Sequence, residues 1–270
     1  TNPDGKQKLA KLVRMCEALR DATAAYCIPL TSGKDSMKND FKADGVKISV
    51  PPTVLYSMTA KIEDVRHTVT SDFKQADDVV YLLGETYDEL GGSEFYQLFG
   101  ELGANVPQVR FEQAKALYIL IGQANDQCLI QSCHDLSDGG LAVALAEATF
   151  GYGFGADVEL PHPLAPSPGG EGEPGVLMNG QLPVHVQLFS ESHSRFVATV
   201  APEDVVAFEL HFGVRATRLG VVTQDGQLVV RHAGQSVLAA STAVLRHAWT
   251  NGPVNRIIGF GQPVGEEVAQ

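Results

Sequence analysis

Apolar residues recur along the chain at two spacings, which predict helices and strands in alternation. Helical spacing is clearest at Leu9, Leu12, Val13, Cys16 and Leu19 and at Ala114, Leu117, Tyr118 and Ile121. These predict helices over about 6–25 and 110–126, and shorter ones are predicted over 94–102, 138–150, 202–213 and 236–249. Apolar runs predict strands at 26–30, 53–65, 79–84, 128–133, 184–190, 195–200, 215–223 and 227–232.

This alternation predicts an α/β or α+β fold with a mixed sheet covered by helices. Pro51 and Pro52 interrupt the pattern and mark a boundary. The stretch 161–175 is rich in Pro and Gly and has no periodicity, so we expect a flexible surface insertion over 161–182. The chain enters its first helix without a preceding strand, and we expect it to be part of something longer.

Composition excludes several partners. Of the 270 residues, 44% are hydrophobic and 19% are charged, a globular balance, and the formal net charge is −12. Because no basic run stands out, neither a nucleic-acid duplex nor an anionic membrane is expected as a partner. No apolar run approaches the roughly 20 residues of a membrane span and no signal peptide is visible, so we expect a cytoplasmic protein.

The four cysteines form no C-x-x-C pair, which argues against a zinc site. Cys16 and Cys128 lie in apolar periodic stretches, and we predict that both are buried free thiols.

The stretch QSCHDLSDGGL (131–141) carries the densest candidate chemistry. Asp135 directly follows a predicted strand, where α/β sheets commonly bind ligands, and Mg²⁺ is often held by one or two carboxylates together with phosphate oxygens. Gly139 and Gly140 would leave N–H groups for an anion at a helix start. In the alternative interpretation, Ser137 or Asp138 simply caps the helix. The residues alone leave both interpretations open.

Two further polar stretches follow predicted strands. Gly33, Lys34 and Ser36 lie in a turn that suits a phosphate, although its spacing is not that of a P-loop and it also fits a solvated turn. In FSESHSRF (189–196), Glu191 either orients a ligand or pairs with Arg195, and the ion pair is favoured. His134 is interpreted as a structural hydrogen-bonding residue.

Five stretches together carry a family resemblance, and in order they are SGKDSMK (32–38), KIEDVRHTVT (61–70), LGGSEF (90–95), HDLSDGGLAVALAEATF (134–150) and FSESHSRFV (189–197). Taken together, they resemble the phosphoribosylformylglycinamidine synthase family. The resemblance covers about 8–250 without 161–182. It implies that 1–50 ends an AIR-synthetase-like N-terminal domain, that 51–250 forms the C-terminal domain of that unit, and that 251–270 is a tail.

The resemblance also implies site roles. Asp135 would be a Mg²⁺ ligand, with Asp138 as a second candidate, and Ser137, Gly139 and Gly140 would bind nucleotide at an auxiliary ADP site. Gly33 would lie near nucleotide and Ser36 near substrate phosphate. Small family members have a metal-ligating Asn where this chain has Lys34, which would instead neutralise phosphate charge.

The implied activity is that of an ATP-dependent C–N ligase in purine biosynthesis. ATP phosphorylates formylglycinamide ribonucleotide, and ammonia from glutamine displaces the phosphate to give the amidine. Because none of the cysteines lies in a G-x-C-x-G elbow, a glutaminase would be another domain or subunit, and the chain alone would be inactive. FSES resembles the small multi-subunit form and GKDSM the large single-chain form, so the architecture of the parent stays open, as does a homodimer of the chain.

Two alternatives remain. The chain is a non-catalytic Mg–nucleotide-binding scaffold, or it is a sibling ATP-dependent enzyme of the AIR-synthetase superfamily, such as thiamine-monophosphate kinase or selenophosphate synthetase.

Overall fold

A computed structural model describes residues 5–34, 40–49, 53–62, 64–162 and 182–258. The chain divides into two compact units, the first made of Thr1–Val65 with Phe111–Lys115 and the second of Arg66–Arg110 with Ala116–Gln270. None of the helices in these ranges is long and apolar enough to cross a membrane. Most of 161–182, the predicted insertion, lies outside the described residues.

The first unit contains a long helix and a hairpin. Helix α1 spans Lys6–Tyr26, and strands β1 (Asp40–Ala43) and β2 (Val46–Ser49) pair antiparallel. The two-residue loop between these strands is Asp44-Gly45, with positive φ at both positions, which is the conformation that a tight type I′ hairpin requires. The Tyr26 ring contacts the edge of Phe111 at 5.5 Å between centroids.

Several predictions for the first unit are wrong. Residues 26–30 are not a strand, because α1 continues to Tyr26 and ends with Cys27 in the left-handed conformation. Residues 53–62 form no strand either, and Leu55 and Met58 are largely exposed without a partner strand in the described part of the chain. Cys16 is exposed, since no residue of α1 is buried.

The second unit is built on a seven-stranded sheet within the described residues, and the predicted mixed α/β class is confirmed. Its strands are β3 (Val79–Leu83), β4 (Ser132–Asp135), β5 (Gly155–Glu159), β6 (Phe196–Val200), β7 (Ala216–Thr223), β8 (Gln227–His232) and β9 (Gln235–Ser241). Their order is β4-β6-β3-β7-β5-β8-β9. Neighbours are antiparallel except β5 and β8, which are parallel.

Helices pack on both faces of this sheet. They are α3 (Phe111–Asp126), α4 (Gly140–Ala148), α5 (Val184–Phe189), α6 (Val205–Phe212) and α7 (Thr242–Ile258), whereas α2 (Glu94–Leu98) packs on α5. Successive side chains of a strand point to opposite faces. Accordingly, Leu82 of β3 joins the core that contains α4, whereas Tyr81 and Leu83 join the core that contains Leu117 and Phe208.

Three elements of the second unit differ from prediction. Residues 184–189 are a helix following Pro183, because an apolar–polar alternation over six residues fits a short buried helix as well as a strand. Residues 235–241 are strand β9, joined to β8 through a turn at Ala233-Gly234, so α7 starts only at Thr242. The strand predicted at 128–133 lies at 132–135, because Cys128 takes a left-handed conformation after α3 and is exposed rather than buried.

Candidate functional site

The candidate site is the turn that connects β4 with α4. Among the described strands, β4 lies at the edge of the sheet and pairs only with β6, so its last residue, Asp135, opposes Phe196. The turn holds Leu136 in the core, whereas the side chains of Asp135, Ser137 and Asp138 are exposed. Since the strand continues through Asp135, the carboxylate lies at the strand end rather than after it.

This turn forms one wall of a cavity of about 320 Å³. Its lining residues are Pro107, Tyr118, Asp135, Leu136, Ser137, Asp138, Glu191, His193, Ser194, Arg195 and Phe196. They combine carboxylates and hydroxyls with an apolar part that includes Tyr118 and Phe196. Ligand cavities commonly pair an apolar wall with a few polar groups in this way.

The capping interpretation of Ser137 and Asp138 is wrong. Helix α4 has Gly139 as its N-cap residue, at φ 79°, and no side chain of its own caps it. The N–H of Gly140 donates to the carbonyl oxygen of Ser137 at 3.0 Å. The N–H of Gly139 donates instead to Oε1 of Glu191 at 2.8 Å.

Glu191 therefore has a role that the sequence did not reveal. Its Oε1 also accepts the N–H of Glu94, at 2.9 Å, so one carboxylate oxygen joins the starts of α2 and α4. The favoured interpretation, an ion pair with Arg195, is wrong, because the carboxylate binds backbone N–H groups. These partners are far away in the sequence, and no local pattern indicates them.

Arg195 is 1% exposed and organises the segment around Glu191. Its Nε donates to the carbonyl oxygen of Ser192 at 3.0 Å, one Nη donates to Oγ1 of Thr86 at 3.0 Å, and the other donates to the carbonyl oxygen of Ser190. Burial lowers the pKa of Arg195 to about 10, with Glu89 and Glu191 acting in the opposite direction. Arg195 is still a cation at neutral pH.

His134 forms the structural hydrogen bond expected of it, and it also contacts Asp135. Its Nε2 lies 2.8 Å from Oε2 of Glu147 on α4, and its Nδ1 lies 3.4 Å from Oδ1 of Asp135. The other oxygen of Glu147 accepts the indole N–H of Trp249 at 2.9 Å. This chain of contacts connects the end of β4 with α4 and α7.

Neighbouring atoms leave no room for a side chain at Gly139 or Gly140 in this turn. A Cβ on Gly140, which has φ 63°, would lie 2.4 Å from the carbonyl oxygen of Ser190 and 2.9 Å from that of Leu188. A Cβ on Gly139 would overlap the side chain of Val143. The segment 188–190 therefore packs directly on the start of α4.

The second predicted phosphate turn belongs to the first unit. Gly33 and Lys34 are exposed and have no regular secondary structure, and Ser36 lies outside the described residues.

The residues of the Asp135 turn fit a hard cation that is bound partly by protein carboxylates and partly by the phosphates of a bound molecule. Within the described ranges no group of three or more His, Cys, Asp or Glu side chains could hold a metal ion by itself. Asp135 and Asp138 are exposed carboxylates that line one cavity. Mg²⁺ in nucleotide sites is usually bound through one or two carboxylates plus phosphates and waters, and this donor set suits that arrangement.

The fold and this turn define a domain class that a family comparison identifies. Residues 75–233 match the family described as AIR synthase related protein, C-terminal domain. Because the match covers more than half of the chain, the chain belongs to this family.

Within that class, the resemblance to phosphoribosylformylglycinamidine synthase is confirmed. The chain is 31% identical over 252 residues to the synthase subunit PurL from Caldanaerobacter subterraneus subsp. tengcongensis. The aligned region covers 92% of this chain and 31% of that relative. The chain thus spans about a third of the length of this relative.

Solved structures show the same fold. Thermotoga maritima PurL complexed with FGAR has a TM-score of 0.55 and 16% identity, covering 67% of this chain and 30% of that chain. The PurLQS structure from the same organism has a TM-score of 0.51 and 17% identity, covering 67% of this chain and 28% of that chain.

Proposed function

We propose that this chain supplies part of a phosphoribosylformylglycinamidine synthase and binds Mg–nucleotide at the Asp135 turn. The observation that carries the proposal is the 31% identity to PurL, which extends over nearly the whole chain. The cavity supports it, because the exposed oxygen ligands of Asp135 and Ser137 line it together with apolar side chains. A nucleotide needs both kinds of surface.

In this proposal Asp135 holds Mg²⁺, with Asp138 as a second ligand, and the bound ion neutralises phosphate charge. Ser137 contacts the nucleotide with its exposed hydroxyl. Gly139 and Gly140 belong to the site as the residues that shape the turn. His134 keeps the Asp135 carboxylate close to the Glu147 network.

The first unit would serve the substrate side of the same reaction. Gly33 would lie near nucleotide, Lys34 would offset phosphate charge, and Ser36 would contact the phosphate of formylglycinamide ribonucleotide. The proposed division into 1–50, 51–250 with the insertion 161–182, and a tail at 251–270 belongs to this proposal.

A glutaminase in another domain or subunit would supply ammonia, and the reaction would take place in the cytoplasm. Of the relatives, one PurL structure contains FGAR and another is the PurLQS assembly. The chain spans about a third of its relative, and we expect no amidine formation from it alone. Detection of formylglycinamidine ribonucleotide from the purified chain would contradict this part.

A second candidate function is a Mg–nucleotide-binding module without catalysis. It is favoured by the hydrogen bond between His134 and Glu147, because this bond engages the histidine next to the turn in a structural contact instead of leaving it for catalysis. In this case the site would hold nucleotide for stability, and an assembled synthase would keep its turnover when Asp135 is changed.

The first test is a calorimetric titration with Mg–ADP. We expect saturable binding to the chain, and we expect Asp135→Asn to weaken it at least about tenfold because the cation loses a charged ligand. Asp126→Asn is a matched control, since it removes the same charge from an exposed position on α3 outside the cavity lining. Unchanged binding in Asp135→Asn, or equal loss in both variants, would contradict the assignment.

A further inference from the structure

The start of α4 already carries an anion, and that anion is the Glu191 side chain. Helix starts attract negative groups because their N–H donors are unpaired and the helix dipole is positive there. One of the two interpretations that the sequence left open, and the one that the family resemblance implies, is a ligand phosphate at Gly139 and Gly140. In the structure the N–H of Gly139 binds Oε1 of Glu191, and the N–H of Gly140 binds the carbonyl oxygen of Ser137.

The segment that carries Glu191 is fixed on both sides. Ser190 and Ser192 are fully buried, and Arg195 donates to both of their carbonyl oxygens. Oγ of Ser190 donates to the carbonyl oxygen of Tyr87 at 2.7 Å, and the N–H of Tyr87 donates to Oγ of Ser192 at 3.1 Å. Because the backbone around Glu191 is already fixed, its carboxylate loses little conformational freedom when it binds the N–H of Gly139.

The surroundings of Gly140 also disfavour a phosphate. The carbonyl oxygens of Ser190 and Leu188 approach its Cα so closely that they would overlap a Cβ. Such oxygens repel an anion and leave it no room. Within the described part of the chain, in contrast, no acceptor binds the N–H groups of Ser137 and Asp138, which lie in the exposed part of the turn beside Asp135.

We propose that Glu191 is a positioning residue that determines where a phosphorylated ligand binds in this cavity. Its carboxylate holds the turn by occupying the start of α4 and excludes phosphate from the glycine pair. The phosphate of a ligand therefore meets the turn at Ser137 and Asp138, next to the proposed cation. This inference concerns the same cavity as the proposed nucleotide site, yet it holds for any phosphorylated ligand and does not require that ligand to be ATP.

The test is a titration of the full chain with inorganic phosphate at constant ionic strength, followed by the backbone amide resonances of Ser137, Asp138 and Gly139. In the wild type we expect the largest saturable shifts at Ser137 and Asp138 and a smaller one at their neighbour Gly139. In Glu191→Ala the largest shift should move to Gly139, with phosphate bound at least about tenfold more tightly than in the wild type, and Glu191→Gln should fall between them. Glu94→Gln is the matched control, because it removes a nearby charge while Glu191 keeps its bond to the backbone N–H of Glu94.

The readout separates exclusion from a purely structural cap. A cap alone would lower the melting temperature of Glu191→Ala without moving the largest phosphate-dependent shift to Gly139. The proposal is overturned if Gly139 shows the largest shift in the wild type, or if neither variant increases the shift at Gly139. Should Glu191→Ala fail to fold, the near-isosteric Glu191→Gln decides. Failure of the wild type to bind Mg–ADP would count against the proposed function only, since the phosphate titration does not depend on it.

Discussion

Nε of Arg195 donates to the carbonyl oxygen of Ser192 at 3.0 Å in an interior where the arginine side chain is almost completely enclosed. The planar guanidinium serves three acceptors at once, two of them carbonyl oxygens that flank Glu191. A buried cation is costly unless it is hydrogen-bonded, so this arrangement indicates that the segment 190–195 is held in one conformation.

Arg195→Lys should lower the free energy of unfolding by about 2 to 4 kcal/mol, measured by urea denaturation. A lysine ammonium cannot reach three acceptors in this fork geometry, and buried groups would lose their partners. Arg218→Lys, at an exposed position of β7, should change stability by less than about 0.5 kcal/mol. Equal effects of the two changes would show that the three hydrogen bonds of the buried Arg195 guanidinium do not contribute to stability.

Gly140→Ala should be strongly destabilising, by about 3 kcal/mol or more. It combines a left-handed backbone with a Cβ that would overlap two carbonyl oxygens. Gly153→Ala is a matched comparison, since that glycine has φ 76° and no atom within 4 Å of an added Cβ, so only the backbone cost of about 1 kcal/mol applies. Thermal or urea unfolding of both variants measures the difference. Similar losses at the two positions would contradict the close packing of 188–190 on α4.

Asp78 should make stability depend on pH between about 4 and 7. Burial raises the pKa of Asp78 to about 6, with Glu203 and Asp77 adding to the effect, and its Oδ2 has no hydrogen-bond partner in the described part of the chain. Because the folded state prefers the protonated form, this stabilising contribution is complete below about pH 4 and is lost as pH rises through 6.

The Asp78→Asn variant measures this contribution. It should be more stable than the wild type at pH 8, by up to about 3 kcal/mol, and should show little difference at pH 4. Asp77→Asn, which changes an exposed neighbour, should keep most of the pH dependence of the wild type, because burial rather than the charge of Asp77 is the main cause of the raised pKa. An unfolding free energy of Asp78→Asn that varies with pH as in the wild type would refute the assignment.

Thiol labelling should divide the cysteines into two groups. Cys16, Cys27 and Cys128 are exposed, whereas burial raises the pKa of the Cys133 thiol to about 12, and the charge of Asp135 adds to this. Because the thiolate is the reactive form, iodoacetamide at pH 8 should modify the three exposed cysteines and leave Cys133 unmodified until the protein unfolds. Peptide mass spectrometry identifies the sites. Labelling of Cys133 at the rate of Cys128 in the native chain would contradict this.

The sequence predicts the core of the second unit well, because long apolar periods arise from burial. The strand at Val79–Leu83 and the helix at Phe111–Asp126 are found where their patterns place them. Short segments are harder to predict. The apolar spacing of Val184–Phe189 fits a helix as well as a strand, and the small residues of Gln235–Ser241 are compatible with both structures. The two-residue loop at Ala233-Gly234 gives only a weak local signal for the last hairpin, because both residues have positive φ and only the glycine favours it.

The candidate site shows a similar division. The position of Asp135 at a strand end and the tight turn at the two glycines follow from residue order alone. The bond from Gly139 to Glu191 joins residues 52 positions apart, and it depends on the pairing of β4 with β6. Contacts made through sheet pairing have no signature in a local stretch, so the sequence names Glu191 as a candidate but its bonds to the helix starts are recognised only in the folded chain.

The interior position of β3 in the sheet has a consequence for synthesis on the ribosome. All five of its residues are buried, yet its neighbours in the sheet are β6 and β7, which follow much later in the chain. While the nascent chain lengthens, this apolar segment has no native partner, a situation that favours aggregation and chaperone binding. Translation products that stop before residue 216 would leave one edge of β3 unpaired, so the second unit becomes a stable product only when nearly all of it has been synthesised.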